Sequence, residues 1–175
     1  MLLKVVKKQN NSSMCVICGL TNEFSLKCGF YELEDGTIAT KFIAHDVHQS
    51  YPERMHGGMI SALLDEICGR AVNVRGADVW GVTGELTVRF KKPVLLNTEL
   101  VCVGKCVKDS GKIFYAEGFI EDKDGRILAT ARATYVKMPV ELISSETLND
   151  NNWFLQKDAV EVKEMEIKNI DYFNT

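Results

Sequence analysis

The pattern of apolar and polar residues along the chain predicts a series of strands interrupted by one long helix. Residues 79–90 alternate like a half-buried strand, with Val82, Leu86, Val88 and Phe90 on one face and Thr83, Glu85, Thr87 and Arg89 on the other. Three more strands are predicted at 100–107, 113–121 and 126–137, and two precede the helix within 26–43. Glycine-containing turns at 34–36, 109–111 and 122–125 join consecutive strands, since glycine accepts the positive φ that tight turns need. We therefore predict an α+β fold in which one helix lies on an antiparallel sheet.

The helix is predicted from near Gly58 to about Val74, and its two faces differ in character. At about 100° per residue, one apolar stripe is expected to pack on the sheet; it consists of Ile60, Leu63, Leu64, Ile67 and Ala71. The opposite face is a strip of small residues with one carboxylate, namely Ala62, Asp65 and Gly69, with Ser61 at its edge. A solvated helix face more often carries Lys, Glu and Gln. The small strip therefore predicts that another backbone approaches the helix there.

The two adjacent acids of this helix have different surroundings. Glu66 precedes Arg70 by four residues, the favourable orientation for a helix ion pair, and we interpret the two as a solvated surface pair. No residue three or four positions from Asp65 is basic. A lone Asp inside a helix has poor propensity and no local compensation, which favours a functional carboxylate. The alternative is an exposed or capping-type Asp.

The start of the helix is unusually bare, because Gly57 and Gly58 follow His56 directly. The first N–H groups of a helix are unpaired and carry partial positive charge. Glycine lets a substrate oxygen approach that backbone closely, so these donors suit an oxyanion. Glycine is also tolerated at ordinary helix starts, and His56 is alternatively a capping or packing histidine.

A distance argument connects the helix start to Asp65. Gly57 and Asp65 are eight residues apart, which corresponds to roughly 12 Å along one helix axis. A group that attacks a carbonyl must come within about 3–3.5 Å of it. One helix therefore cannot serve one carbonyl with both residues, whereas two antiparallel copies can. The sequence predicts a two-fold homodimer with two composite sites.

Composition and charge narrow the classes of function. The chain has 175 residues with 46% hydrophobic and 26% charged residues, which suits one domain with a substantial core. We expect an N-terminal leader at 1–25, the main domain at 26–138 and an acidic extension at 139–175. A formal net charge of −3 predicts no nucleic-acid partner. No stretch approaches the roughly 20 apolar residues of a membrane span, and the N-terminus lacks a secretory signal pattern, so we expect a cytoplasmic protein.

The six cysteines are scattered, and we interpret them as reduced thiols. Cys68, Cys102 and Cys106 are expected to be small core residues. Cys15 and Cys18, followed by Cys28 after nine intervening residues, have part of the spacing of a zinc site. His45 or His48 would be its fourth ligand. We predict no metal site, and zinc remains the alternative.

Several of these motifs together resemble a known family. His56-Gly57-Gly58, then Leu64-Asp65 and Gly69, followed by GELTVRFKKPV at 84–94, resemble the hotdog-fold acyl-CoA thioesterases. The resemblance is to the PaaI-like (4-hydroxybenzoyl-CoA thioesterase) superfamily and covers residues 26–138. It implies an antiparallel sheet wrapped around one long helix, and chains that pair into dimers or dimers of dimers.

The resemblance also implies roles for individual residues. Asp65 would be the catalytic carboxylate, as nucleophile or as general base on water, and the Gly57 amide would be the oxyanion donor across the dimer. His56 would orient the loop or the thioester, and Thr83 would assist the attacking water. The implied substrate-binding residues are Gln49, Ser50 and Gly58 at the pocket and Arg89, Lys91 and Lys92 for the coenzyme A phosphates. The substrate would be a small or medium acyl-CoA, with no separate cofactor because coenzyme A is part of the substrate.

The sequence departs from the family in two places. Residues 50–54 are bulky and charged where the family often has a glycine, so the resemblance does not determine the shape of the pocket or the identity of the acyl group. Glu23 replaces the proline that usually follows the Cys-x-x-Cys-Gly-x-x-Asn pattern of one subgroup. Two other functions remain as alternatives: a non-catalytic acyl-CoA binder, and a hotdog hydratase or dehydratase. The latter needs an acid/base histidine with a signature that is not found around His48 or His56.

Overall fold

One antiparallel sheet and one long helix make up most of the molecule. The computed structural model describes residues 1–76, 79–146 and 148–174. The helices are α1 (Gly57–Arg70) and the short α2 (Val140–Ile143). Three 3₁₀ turns lie at Asp46–His48, Ala71–Arg75 and Ile170–Asn174. The α+β class predicted from the sequence is confirmed.

Within the described residues, eight strands form the main sheet and two form a small ribbon. The strands are β1 (Leu2–Lys8), β2 (Asn11–Ser12), β3 (Tyr31–Leu33), β4 (Ile38–Ile43), β5 (Gly81–Phe90), β6 (Glu99–Asp109), β7 (Ile113–Glu121), β8 (Ile127–Lys137), β9 (Trp153–Phe154) and β10 (Glu164–Glu166). The order across the sheet is β10-β1-β3-β4-β6-β7-β8-β5, and β2 pairs with β9. Strand β5 therefore forms one edge of the sheet.

Helix α1 packs on the sheet through the predicted apolar stripe. Ile60, Leu63, Leu64 and Ile67 are all buried, and the helix continues into the 3₁₀ turn where the sequence pattern predicted its end. Two glycines that face each other on β6 and β7, Gly104 and Gly118, lie beneath the helix. A Cβ at Gly104 would come within 3.0 Å of the Ile67 carbonyl oxygen, so the close approach of sheet and helix requires glycine there.

The N-terminal residues belong to the sheet, which the sequence analysis did not predict. Strand β1 pairs with β3 on one side and with β10 on the other. The Met1 ammonium group donates to the Ile167 carbonyl oxygen. The two ends of the chain thus extend the sheet together, although only Leu3 of this lysine-rich strand is well buried.

The C-terminal extension covers a second apolar cluster away from α1. Met165 and Ile167 pack with Leu3, Val103 and Phe119 there. The rings of Tyr172 and Phe173 lie 4.8 and 5.5 Å from that of Phe119. The Trp153 ring of the extension lies 5.1 Å from the Trp80 ring. In the part of the chain that the structure describes, no helix is long and apolar enough to cross a membrane.

Candidate active site around Asp65

Two hydroxyl groups from neighbouring strands hold the Asp65 carboxylate. The Thr83 hydroxyl lies 3.0 Å from Oδ1 and 3.2 Å from Oδ2. The Tyr135 hydroxyl lies 2.9 Å from Oδ1 and 2.7 Å from the Asp65 carbonyl oxygen. No lysine or arginine among the described residues forms a salt bridge with this carboxylate. Among the described residues, Asp65 is thus a carboxylate held by two hydroxyl groups and not by a salt bridge.

A β-bulge directs Thr83 towards the helix. The pairing of β5 with β8 shifts between Thr83 and Glu85, so that Gly84 is an extra residue. Past the bulge, Leu86 and Val88 pack against the core. The hydrogen bond from Thr83 to Asp65 shows that Thr83 lies on the same face of the strand. The prediction that Thr83 lies on the face opposite Leu86 was therefore wrong. Strict alternation holds only while the ladder is uninterrupted, and a bulge reverses the facing of all residues before it.

Tyr135 is a site residue that the sequence analysis missed. It lies directly opposite Thr83 in the β5–β8 pairing, and its ring stacks on Phe114 with 4.7 Å between centroids. Burial, reinforced by the nearby Cys68 and Asp65, raises the pKa of Tyr135, so the hydroxyl keeps its proton and remains a donor. The sequence contained one indication of this role: Tyr135 lies on the same strand face as the small residues Ala129, Ala131 and Ala133.

The small-residue strip of α1 is partly occupied by this tyrosine. A Cβ at Gly69 would lie 3.3 Å from the Tyr135 ring, so the absence of a side chain there makes room for Tyr135. The strip was predicted to receive another backbone. At Gly69 that interpretation was wrong, because a side chain of the same chain fills the space.

The start of α1 presents a backbone donor that has no acceptor among the described residues. The His56 ring caps the helix, since Nδ1 accepts a hydrogen bond of 2.9 Å from the Gly58 N–H. The Gly58 N–H is therefore occupied. Among the described residues, the Gly57 N–H has no hydrogen-bond acceptor. A Cβ added at Gly57 would meet the Phe90 ring at 3.6 Å, which places the end of β5 beside the helix start.

The predicted site residues do not all meet within one chain. Asp65 and Thr83 open into a cavity of about 320 Å³, whose other lining residues include Cys15, Glu66, Trp80 and Tyr135. Gly57 and His56 lie at the other end of the helix and do not line it. Gln49 borders a different cavity with Glu53 and Asn97, and Ser50 is exposed on the same loop. The helix-start group and the Asp65 group are thus separate in the monomer.

The three candidate basic residues are also divided between two surfaces. Arg89 and Lys91 line a cavity of about 740 Å³ on the face of β5 and β8 that carries Glu85 and Arg132. Lys92 lines another, of about 590 Å³, together with Lys123 and Arg126.

Glu66 and Arg70 form the predicted ion pair, but it is not a solvated one. Arg70 Nε lies 2.8 Å from Glu66 Oε1, and the side chains are 7% and 28% exposed, respectively. The Arg70 guanidinium packs over the Phe30 ring at 4.5 Å and donates to the Asn10 carbonyl oxygen at 2.8 Å. Burial alone would lower the pKa of Arg70, but Glu66 and the nearby thiols outweigh it, so the pKa of Arg70 is raised. The helix periodicity could not show this burial, because residues about forty and sixty positions earlier in the chain, Phe30 and Asn10, cover the pair.

The cysteines and histidines are arranged differently from the zinc alternative considered above. The Sγ atoms of Cys15 and Cys18 and a Glu66 carboxylate oxygen lie within 4.8 Å of one another, while Cys28 is not part of that group. A hydrogen bond from Cys18 lowers the pKa of the Cys15 thiol to about 7. Both ring nitrogens of His48 are occupied: Nδ1 accepts from the His45 N–H and Nε2 donates to the Phe24 carbonyl oxygen. His48 is therefore neither a metal ligand nor a free acid/base group.

Comparison with known proteins agrees with this architecture. Residues 53–129 match the family model of the thioesterase superfamily. One solved structure of a thioesterase superfamily protein is 26% identical, with a TM-score of 0.65, over 70% of this chain and 59% of that chain. PaaI of E. coli, from the phenylacetic acid degradation operon, is 16% identical with a TM-score of 0.59, over 65% of this chain and 81% of that one.

A third structure, of a Streptococcus mutans protein bound to acetyl-CoA, is 23% identical with a TM-score of 0.55, over 59% of this chain and 82% of that one. This chain covers 59% of the length of the thioesterase superfamily structure that is 26% identical to it. The search among curated proteins found no match. These comparisons confirm the hotdog fold and agree with the resemblance to PaaI-like thioesterases, and residues 53–129 are similar to the thioesterase superfamily.

Proposed function

We propose that the protein is an acyl-CoA thioesterase that hydrolyses a small or medium acyl-CoA to the free acid and coenzyme A. The observation that carries the proposal is the Asp65 carboxylate. It lies in mid-helix without a cationic partner, is held by Thr83 and Tyr135, and opens into a cavity. The thioesterase superfamily match includes this residue. A CoA-type ligand is further supported by the similar structure that was solved with acetyl-CoA.

The active site is proposed to form between two chains. The unused Gly57 N–H and the Asp65 carboxylate lie on one helix, roughly 12 Å apart along its axis. Strand β5 pairs only with β8 and leaves its other side at the sheet edge. A second copy related by a two-fold axis would join there and bring Gly57 of one chain to Asp65 of the other.

The proposed reaction begins with the thioester carbonyl oxygen accepting the Gly57 N–H at the positive end of α1. Asp65 either adds to the carbonyl carbon or removes a proton from a water molecule that adds to it. The carbonyl π electrons move onto the oxygen, where the amide and the helix dipole stabilise the negative charge. When the carbonyl forms again, the carbon–sulfur bond breaks and the coenzyme A thiolate takes up a proton. On the direct route, water then hydrolyses the acyl–Asp65 anhydride.

Thr83 and Tyr135 position the carboxylate in this scheme. Because both hydroxyls lie close to Oδ1, Oδ2 carries fewer hydrogen bonds and is the oxygen that meets the water or the substrate. The Thr83 hydroxyl is exposed and retains lone pairs that can accept a hydrogen bond from the attacking water. Lys92 lines a cavity with two other basic residues, Lys123 and Arg126, and is a candidate for binding the phosphates of coenzyme A.

A thiol-release screen tests the proposal. The full chain is assayed with short, long and aromatic acyl-CoAs beside Asp65→Asn and the control Glu85→Gln, which removes a carboxylate from the other face of β5. We expect Asp65→Asn to be nearly inactive, because asparagine keeps the shape but is neither a base nor a nucleophile. Glu85→Gln should match the wild type. Full activity of Asp65→Asn would contradict the mechanism, and acyl-CoA binding without thiol release would favour the non-catalytic binder.

A further inference from the structure

A second group of reactive side chains lies beside Asp65 and has no part in the scheme above. Cys15, Cys18 and Glu66 place two sulfur atoms and one carboxylate oxygen within 4.8 Å of one another. Cys15 and Glu66 also line the cavity into which Asp65 opens. The two cysteines come from the N-terminal segment and the carboxylate comes from α1, so the group joins two parts of the fold.

The backbone around the two cysteines directs N–H groups at their sulfur atoms. The Ile17 N–H lies 3.3 Å from Cys15 Sγ, and the Ser12 N–H lies 3.4 Å from Cys18 Sγ. A hydrogen bond of 2.8 Å from the Gly19 N–H to the Cys15 carbonyl oxygen closes the turn. A Cβ at Gly19 would approach that oxygen to 2.3 Å, so the turn requires glycine. These N–H donors would stabilise the thiolates that a bound metal requires.

Charge around the group favours a bound cation. Metal binding requires both thiols to lose their protons, and two thiolates with Glu66 would then carry three formal negative charges. Arg70 supplies one positive charge, which lies at Glu66 Oε1 and Cys18 Sγ. Cys18 is fully buried, so the remaining charge would lie in a region of low dielectric. A divalent cation would neutralise it.

We propose that Cys15, Cys18 and Glu66 bind one soft divalent cation, of which zinc best fits this set of ligands. Two thiolates and one carboxylate are accepted zinc ligands, and a water molecule from the cavity would complete the tetrahedron. Asn11 fixes the cysteine segment from the other side, since its side-chain nitrogen donates to the carbonyl oxygens of Cys18 and Cys28. The ion would fasten the N-terminal segment to α1 next to Asp65. This site differs from the zinc alternative of the sequence, because Glu66 replaces Cys28 and the histidines.

Cobalt binding to the full chain tests the site independently of catalysis. The reduced protein is stripped with a chelator and titrated with Co²⁺. We expect one equivalent, with the thiolate-to-cobalt absorption and visible bands of a tetrahedral centre, and displacement by Zn²⁺. Cys15→Ser and Cys18→Ser should each lower the affinity by more than about 100-fold. Cys28→Ala is the matched control and should bind like the wild type.

Thermal unfolding with and without Zn²⁺ separates loss of the site from loss of the fold. Zn²⁺ should raise the Tm of the wild type and of Cys28→Ala but not of the two serine variants. Each variant must first show a cooperative transition. Absence of stoichiometric cobalt binding would overturn the proposal, as would equal loss in Cys28→Ala. A Cys15–Cys18 disulfide whose reduction yields no metal binding would overturn it as well.

Discussion

Replacing Gly57 with proline removes one backbone N–H and little else. The preceding residue, His56, has φ −63° and ψ 135°, a conformation that a following proline favours. Gly57 is the first helical residue, where proline is common because that N–H has no partner within the helix. An added Cβ would make an ordinary 3.6 Å contact with Phe90. Gly57→Pro should therefore fold normally.

The effect on catalysis should be large, because the deleted N–H is the proposed oxyanion donor. Loss of one such donor lowers kcat by about 10²–10³-fold, or about 2.7–4 kcal/mol of transition-state stabilisation. The stability should stay equal or rise by about 0.4–1 kcal/mol, since proline restricts the unfolded chain. Gly57→Ala is the matched control: it keeps the N–H and adds only the Cβ, so its kcat should stay within a few-fold of the wild type.

The assay is steady-state thiol release on the best acyl-CoA of the screen, with urea unfolding of each variant. A donor that acts in the transition state predicts a fall in kcat with little change in KM. A proline ring that merely obstructed the substrate would raise KM instead. Wild-type kcat in a folded Gly57→Pro protein would refute the assignment of this amide.

Further substitutions test the two hydroxyls that hold Asp65 and the ion pair between Glu66 and Arg70. Tyr135→Phe keeps the ring but removes a hydrogen bond to a carboxylate, and kcat should fall about 10–100-fold at nearly unchanged Tm, measured by thiol release and calorimetry. Thr83→Val keeps the shape of the side chain, and thiol release should likewise fall about 10-fold or more, whereas Thr83→Ser should retain most activity. Arg70→Met leaves Glu66 without its partner in a largely buried position, and urea unfolding should show a loss of about 3–5 kcal/mol. A change below about 1 kcal/mol would show that the pair is in effect solvated.

The parts of the fold that the sequence predicts are those governed by local periodicity. The apolar stripe of α1 recurs at helical spacing, and strand β7 has the predicted bounds 113–121 because glycine turns flank it. Strand β1 was missed because its lysine-rich pattern gains stability only from pairing with β3 and β10, which lie far along the chain. Local propensity carries no information about such partners.

In the candidate site too, features set by local sequence could be predicted, and those set by distant residues or by an irregular strand could not. The lone Asp65 could be recognised because its helix neighbours are visible in the sequence. The facing of Thr83 could not, since one extra residue at Gly84 reverses the alternation. Arg70 looked solvated on its own helix, although Phe30 and Asn10 bury it from elsewhere in the chain. Tyr135 could have been predicted as a site residue from the small residues on its face of the strand, had that face been assigned to pack against the helix.

Mixing two inactive variants tests the composite site most directly. Asp65→Asn and Gly57→Pro proteins are combined in equal amounts, dissociated, allowed to reassociate and assayed for thiol release. If Asp65 of one chain works with Gly57 of its partner, each mixed dimer contains one intact site, and random pairing restores about a quarter of the wild-type activity. If both residues act within one chain, or the chains do not pair, every site retains a lesion and the mixture stays as inactive as its components.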